Sequence, residues 1–209
     1  MPVNYTVQAD VIDITTDSPQ NGDIFLVDTN VWYWLTYPQA SLSAKQHQIN
    51  SYPNYIADTL TAGATLCYSG LSLAELAHLI ESKEYELSIY GLTTGPDYRR
   101  SAKEYRHNHA SERARVICQV QTGWSQVQSI SVQIDLKLDE TTVDAAITRF
   151  IIQPLDGYDL FILESMKQES IKKIITDDGD YVTVPGIQVF TANPGAIAAA
   201  KNQGRLIMR

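Results

Sequence analysis

Short apolar runs alternate with longer amphipathic segments along this chain, and the alternation predicts strands and helices in turn. The clearest strand is Ile24-Phe25-Leu26-Val27, which ends on Asp28 and passes straight into the apolar helix start Val31-Trp32-Tyr33-Trp34-Leu35. An apolar run of that length without polar interruption suits a strand buried on both faces. Further strands are expected over residues 64–68, 130–134, 173–176 and 187–191. Residues 3–11 alternate Val3, Tyr5, Val7, Ala9 and Val11 with polar neighbours, a period of two that suits an edge strand or a partner contact.

Helical periodicity fills the intervals. Residues 40–62 read as a helix interrupted at Pro53, with Ile49, Ile56 and Leu60 on its inner face. Residues 72–86 place Leu73, Leu76 and Ile80 at core spacing. Residues 87–96 hold two glycines and a proline and read as a connection, and 97–127 as helix in two pieces. Residues 140–152 carry Val143, Ala146, Ile147 and Phe150 on one face and stop before Pro154, and 156–169 turn Ile162, Leu163 and Met166 inward. Asn193-Pro194 has the form of a cap and first helical position, and Gly204 that of a stop. Strands alternating with helices imply a three-layer α/β/α domain on a central parallel sheet. No internal repeat or low-complexity tract breaks it.

Composition narrows the class. With 209 residues, 44% hydrophobic and 19% charged, the chain suits one globular domain. No apolar run approaches the roughly 20 residues of a membrane span. Residues 1–23 hold no Lys or Arg and so lack the basic region of a secretory signal, which points to a cytoplasmic protein. Cys67 and Cys118 lie far apart and are expected to be free, buried thiols.

Four acidic stretches carry the candidate chemistry. Asp28 follows the first buried strand, Glu75 lies in Ser72-Leu73-Ala74-Glu75, Asp159 lies in Asp156-Gly157-Tyr158-Asp159, and Asp178 lies in Thr176-Asp177-Asp178-Gly179-Asp180-Tyr181. Each has an ordinary structural reading. Asp28 and Asp156 suit helix caps, Ser-x-x-Glu suits a capping box, Asp159 favours the helix dipole, and the last stretch suits a turn. Together they fall on strand ends or first helical turns, which in a parallel α/β sheet share one rim. At about 4 Å and an effective dielectric near 20, each pair of like charges costs on the order of 4 kcal/mol. A hard divalent cation, Mg²⁺ or Mn²⁺, would offset that cost, orient a water and stabilise charge on a phosphodiester.

The stretches Leu26-Val27-Asp28-Thr29-Asn30-Val31, Ser72-Leu73-Ala74-Glu75-Leu76, Tyr158-Asp159 and Thr176-Asp177-Asp178-Gly179-Asp180-Tyr181 resemble those of the PIN-domain family, which includes the VapC-type toxin ribonucleases. The resemblance runs over about 24–191. It implies a metal-dependent endoribonuclease with Asp28, Glu75, Asp159 and Asp178 as the acidic quartet and Asp180 as an assisting acid. Thr29, Asn30 and Thr176 would orient ligands or water around it, and Asp177 falls on the variable position. The resemblance also implies homodimers and, for a toxin, an antitoxin partner. Two features depart from it. Tyr181 stands where Phe is more frequent, and an all-helical insertion at about 87–129 is expected, a candidate substrate wall, dimer surface or antitoxin site. Residues 1–23 form an extension outside the resemblance.

Net charge is −8, so binding of RNA needs either local basic residues or a bound cation. Arg99, Arg100, Lys103 and Arg106 suggest a phosphate-contacting patch, with Tyr98 or Tyr105 for base stacking, although a solvated helix face has the same pattern. Trp32 and Trp34 suit core or interface, and His47 and His78 ordinary surface or core positions. No Ser-His or Cys-His pair suggests a covalent nucleophile. Two alternatives stay open: a catalytically silent RNA-binding or scaffold module, and a phosphatase of another α/β family. Asn30, where such a phosphatase would carry a second Asp, weighs against the latter.

Overall fold

In a computed structural model, residues 3–90, 92 and 100–209 are described. Their strands are β1 (Asp10–Asp13), β2 (Ile24–Val27), β3 (Thr65–Ser69), β4 (Val132–Ile134), β5 (Lys173–Ile175) and β6 (Gln188–Thr191). They form one all-parallel sheet in the order β1-β6-β5-β2-β3-β4. The helices are α1 (Thr29–Thr36), α2 (Gln46–Thr61), α3 (Gly70–Ile89), α4 (Ala102–Asn108), α5 (Ala110–Ile130), α6 (Glu140–Ile152), α7 (Gly157–Gln168) and α8 (Pro194–Asn202). The three-layer α/β/α arrangement follows from the strands' period of two. Leu26, Cys67, Ile174 and Val189 point to the face covered by α6, α7 and α8. Phe25, Val27, Leu66, Tyr68, Ile175 and Phe190 point to the face covered by α1, α2 and α5. Trp32 is fully buried on that second face. No helix among the described residues is long and apolar enough to cross a membrane.

Several expectations are corrected. The alternation over 3–11 yields a strand only at Asp10–Asp13, where β6 offers a ladder. Upstream the chain follows a turn instead: Gln8 N and Ala9 N both donate to Val182 O, at 2.8 and 3.0 Å. α2 runs through Pro53 without a break. The amide bond that Pro forgoes is outweighed by the burial of Tyr52, Tyr55, Ile56 and Thr59, which form the true inner face, while Leu60 is exposed. α3 begins at Gly70 with Ser69 as its cap, so Ser72 lies inside the helix and Ser72–Glu75 is no capping box. On that helix Leu76 and Ile80 are buried, but Leu73 is exposed. Cys118 is exposed; Cys67 is buried, and both thiols are free.

The largest surprise concerns α6. Its Thr142 and Ala146 face inward, and Arg149 binds Glu164 of α7 at 2.7 Å and Gln153 at 3.2 Å. That polar seam turns the apolar stripe outward: Val143, Ile147 and Phe150 are at least half exposed, as are Ile151 and Ile152.

The insertion is helical at α4 and α5, and α5 packs on α3 through charge as well as apolar contact. Arg106 grips Glu81 of α3 with two bonds, 2.6 and 2.8 Å, Arg113 reaches the same carboxylate at 3.4 Å, and Arg115 binds buried Glu84 at 2.7 Å.

Candidate metal-binding active site

Chain order reverses across the sheet at β2. From β2 the chain moves to β3 and β4 on one side, then returns to β5 and β6 on the other. In open α/β sheets the crevice at such a reversal, beyond the carboxyl ends of the strands, is where sites form. Asp28 follows β2 there, and Thr176 to Asp178 follow β5 beside it.

Asp28 is nearly buried and held from every side. Its Oδ1 accepts from Thr29 N at 2.7 Å, and its Oδ2 accepts from Asn30 Nδ2 and from the Thr176 hydroxyl, both at 2.6 Å. The same Thr176 Oγ1 accepts from Asp178 N at 2.9 Å, and Asp178 Oδ1 accepts from Asp180 N at 2.8 Å. One continuous network thus fixes the first and last acidic stretches together. Asp28 is the cap of α1, as one of its two sequence readings expected.

The helices bring the other acids. Asp156 caps α7 through Tyr158 N and Asp159 N, at 3.0 and 3.3 Å, and so orients its first turn. Buried Asp159 receives the Tyr181 hydroxyl on Oδ1 at 2.7 Å. The Tyr that replaces Phe is therefore a donor to a site carboxylate, which the sequence reading missed. Glu75 projects from the second turn of α3. Among the described residues, Glu75 Oε2 and Asp159 Oδ2 are buried oxygens without a hydrogen-bond partner. The Thr29 hydroxyl lies near enough to Glu75 to favour its charged form, although Thr29 Oγ1 makes no hydrogen bond of regular geometry.

The electrostatics record the crowding. Burial first, then the charges of Asp159 and Glu75, hold Asp28 well above the usual carboxylate range, against the pull of the Thr176 bond. Asp159 is pushed up to about 7 by burial, with Asp156, Asp178 and Glu75 adding to it and the Tyr181 bond opposing. Glu75, Asp178 and Asp180 are raised too, chiefly by burial. The charges of Asp28, Glu75, Asp159 and Asp178 therefore act on one another, and Asp156, which the sequence suggested only as a cap, adds its charge to theirs.

As the side chains stand, no three His, Cys, Asp or Glu among the described residues form a group that could hold a metal ion. The donor chemistry nevertheless fits a hard cation: the donors are oxygens, and two of them are buried and unpaired.

Two neighbours shape the acidic turn. Asp177 turns to α2, reaching His47 Nε2 at 3.1 Å, Gln48 Nε2 at 2.6 Å and the Tyr52 hydroxyl at 2.8 Å, and so ties the turn to that helix. Tyr5, from the segment before β1, lies over Gly179; a Cβ there would overlap its hydroxyl, so any other residue at 179 would displace the Tyr5 ring. Burial and the charges of Asp180, Asp178 and Asp177 raise the Tyr5 phenol. No local pattern in the sequence signals that contact.

The basic patch needs revision. Arg99 and Tyr98 lie outside the described residues. Arg100 is buried, paired with Glu112 at 3.2 Å and set over the Tyr105 ring at 5.1 Å, so it is no open phosphate contact. Tyr105 is itself fully buried and offers no face to a base. Arg106 serves Glu81, and Lys103 remains exposed. These pairings cross between elements, so a count of local charge overstates the open positive surface.

A family profile described as the PIN domain matches residues 25–187. A search of curated proteins finds no match to the chain. That profile covers most of the chain, and the sheet order and rim of acids agree with it: the chain belongs to the PIN-domain family, whose members are generally nucleases.

Proposed function

We propose that the protein is a metal-dependent endoribonuclease that hydrolyses RNA phosphodiester bonds. The observation that carries this reading is the pair of buried, unpartnered oxygens on Glu75 and Asp159, set among carboxylates that raise one another's pKa. Asp28, Glu75, Asp159 and Asp178, assisted by Asp180, would hold Mg²⁺ or Mn²⁺. When bound, the ion supplies a more acidic water and stabilises charge on the phosphodiester. Thr29, Asn30 and Thr176 fix the Asp28 carboxylate, and Tyr181 fixes that of Asp159, so the acids enter the reaction already oriented. We further assign a cytoplasmic, VapC-like toxin role with an antitoxin partner, on the family likeness alone.

Calorimetric titration tests the metal assignment. Wild type is expected to bind Mn²⁺ and Asp159→Asn to bind it at least tenfold more weakly. Equal affinity in both would remove Asp159 from the site. The outward stripe of α6 supports a homodimer. Light scattering should find wild type dimeric and Phe150→Glu monomeric; a monomeric wild type would reject that surface.

A further inference from the structure

Beside the acids lies a cavity of about 400 Å³ between α3 and α5, lined by Ala74, His78, Arg113, Val116, Val120 and Tyr158 among others. It lies within the roughly 300–1,000 Å³ range of small-ligand sites. Ala74 directly precedes Glu75, Tyr158 directly precedes Asp159, and the charge of His78 reaches Glu75. The cavity thus adjoins two of the acids, drawing on α3 beside Glu75 and on α7 beside Asp159.

We propose that this cavity is a subsite for one unpaired base of a single-stranded RNA, with Tyr158 as the stacking surface and Arg113 as the contact to a flanking phosphate. The inference rests on the nuclease reading and names where its substrate lies. Tyr158 is 42% exposed, an aromatic face open at the cavity wall next to a site acid. Val116, Ile117 and Val120 supply an apolar floor for a base, and His78 and Gln121 a polar rim. A base held in a duplex cannot enter such a pocket, whereas an unpaired one can be splayed into it and stacked.

Charge agrees. Glu81 also lines the cavity, but two arginines share its carboxylate, Arg106 through two short bonds and Arg113 at 3.4 Å. The Arg113 side chain is 40% exposed, so it stays accessible from solvent despite its contact with Glu81. In a chain of net charge −8, the wall of this cavity thus carries no net negative charge, because Arg113 offsets Glu81.

The test is fluorescence anisotropy with a labelled single-stranded RNA oligonucleotide in EDTA, so that binding is read without cleavage. Tyr158→Ala is expected to weaken binding about tenfold, and Tyr158→Phe to retain it. Arg113→Gln should lower the slope of log affinity against log salt by about 0.7. Fully paired RNA of the same sequence should bind no better to wild type than to Tyr158→Ala. Melting temperature and Mn²⁺ titration of each variant report on fold and metal site separately. Wild-type affinity in a folded Tyr158→Ala overturns the subsite even if the enzyme cleaves RNA. A wild type that neither binds Mn²⁺ nor cleaves RNA overturns the nuclease reading instead.

Discussion

Asp28→Asn is expected to lower Mn²⁺-dependent RNA cleavage by on the order of 10²–10³-fold, since a bound ion contributes several kcal/mol of transition-state stabilisation and about 1.4 kcal/mol is tenfold. The substitution keeps the shape of the side chain and removes its charge. It also sets an amide against donors, because Thr29 N, Asn30 Nδ2 and the Thr176 hydroxyl all point at this carboxylate. One of the contacts that hold β2 to the turn after β5 is lost with the charge. A fluorogenic RNA cleaved in Mn²⁺ reads the effect. If wild type and variant are both inert while wild type still binds RNA, the silent RNA-binding module is the better reading.

The second large effect is on stability. Asp159 titrates near 7 in the folded protein against an ordinary value of 3.8, and Asp28, Glu75, Asp178 and Asp180 shift the same way. A carboxyl raised on folding favours the folded state while protonated, and that contribution is lost as pH rises through the folded pKa. The metal-free protein should therefore lose stability between about pH 4.5 and 7, by a few kcal/mol at 1.36 kcal/mol per unit of pKa. Acids that are lowered on folding, such as Asp23 and Glu81, complete their opposite contribution below that window. Mn²⁺ should restore stability, by several degrees at pH 8 and by less at pH 5, where protons compete for the same oxygens. Differential scanning at both pH values, with EDTA and with Mn²⁺, measures it. A flat profile without metal and no Mn²⁺ shift at pH 8 would mean that these carboxylates do not share a site.

Much of this was readable from the chain, for local reasons. The run Ile24-Phe25-Leu26-Val27 can be little but a buried strand, and an acid at its end lands on the sheet rim whatever else folds around it. The same holds for Ile174 and Ile175 before the Thr176-Asp177-Asp178 turn. Periodicity failed where it was asked who covers a face. In α6 the apolar stripe is real, but the Arg149–Glu164 pair, joining residues 15 apart, decides which side packs. In the insertion, Arg106 and Arg115, which look like an open patch, are committed to Glu81 and Glu84, 25 and 31 positions away. In the sequence Tyr181 is only a less frequent residue than Phe at its position; its hydroxyl gains meaning beside Asp159, 22 residues earlier.

The pairing of β1 with β6 has a consequence for biosynthesis. The sheet's first strand finds its ladder only in its last, so during translation it waits beside a growing chain until residues 188–191 leave the ribosome. Tyr5 can settle over Gly179 only then. A nascent chain still short of that point carries the acids without the strand that braces their turn, so under the proposed function the site is completed only when synthesis is nearly done.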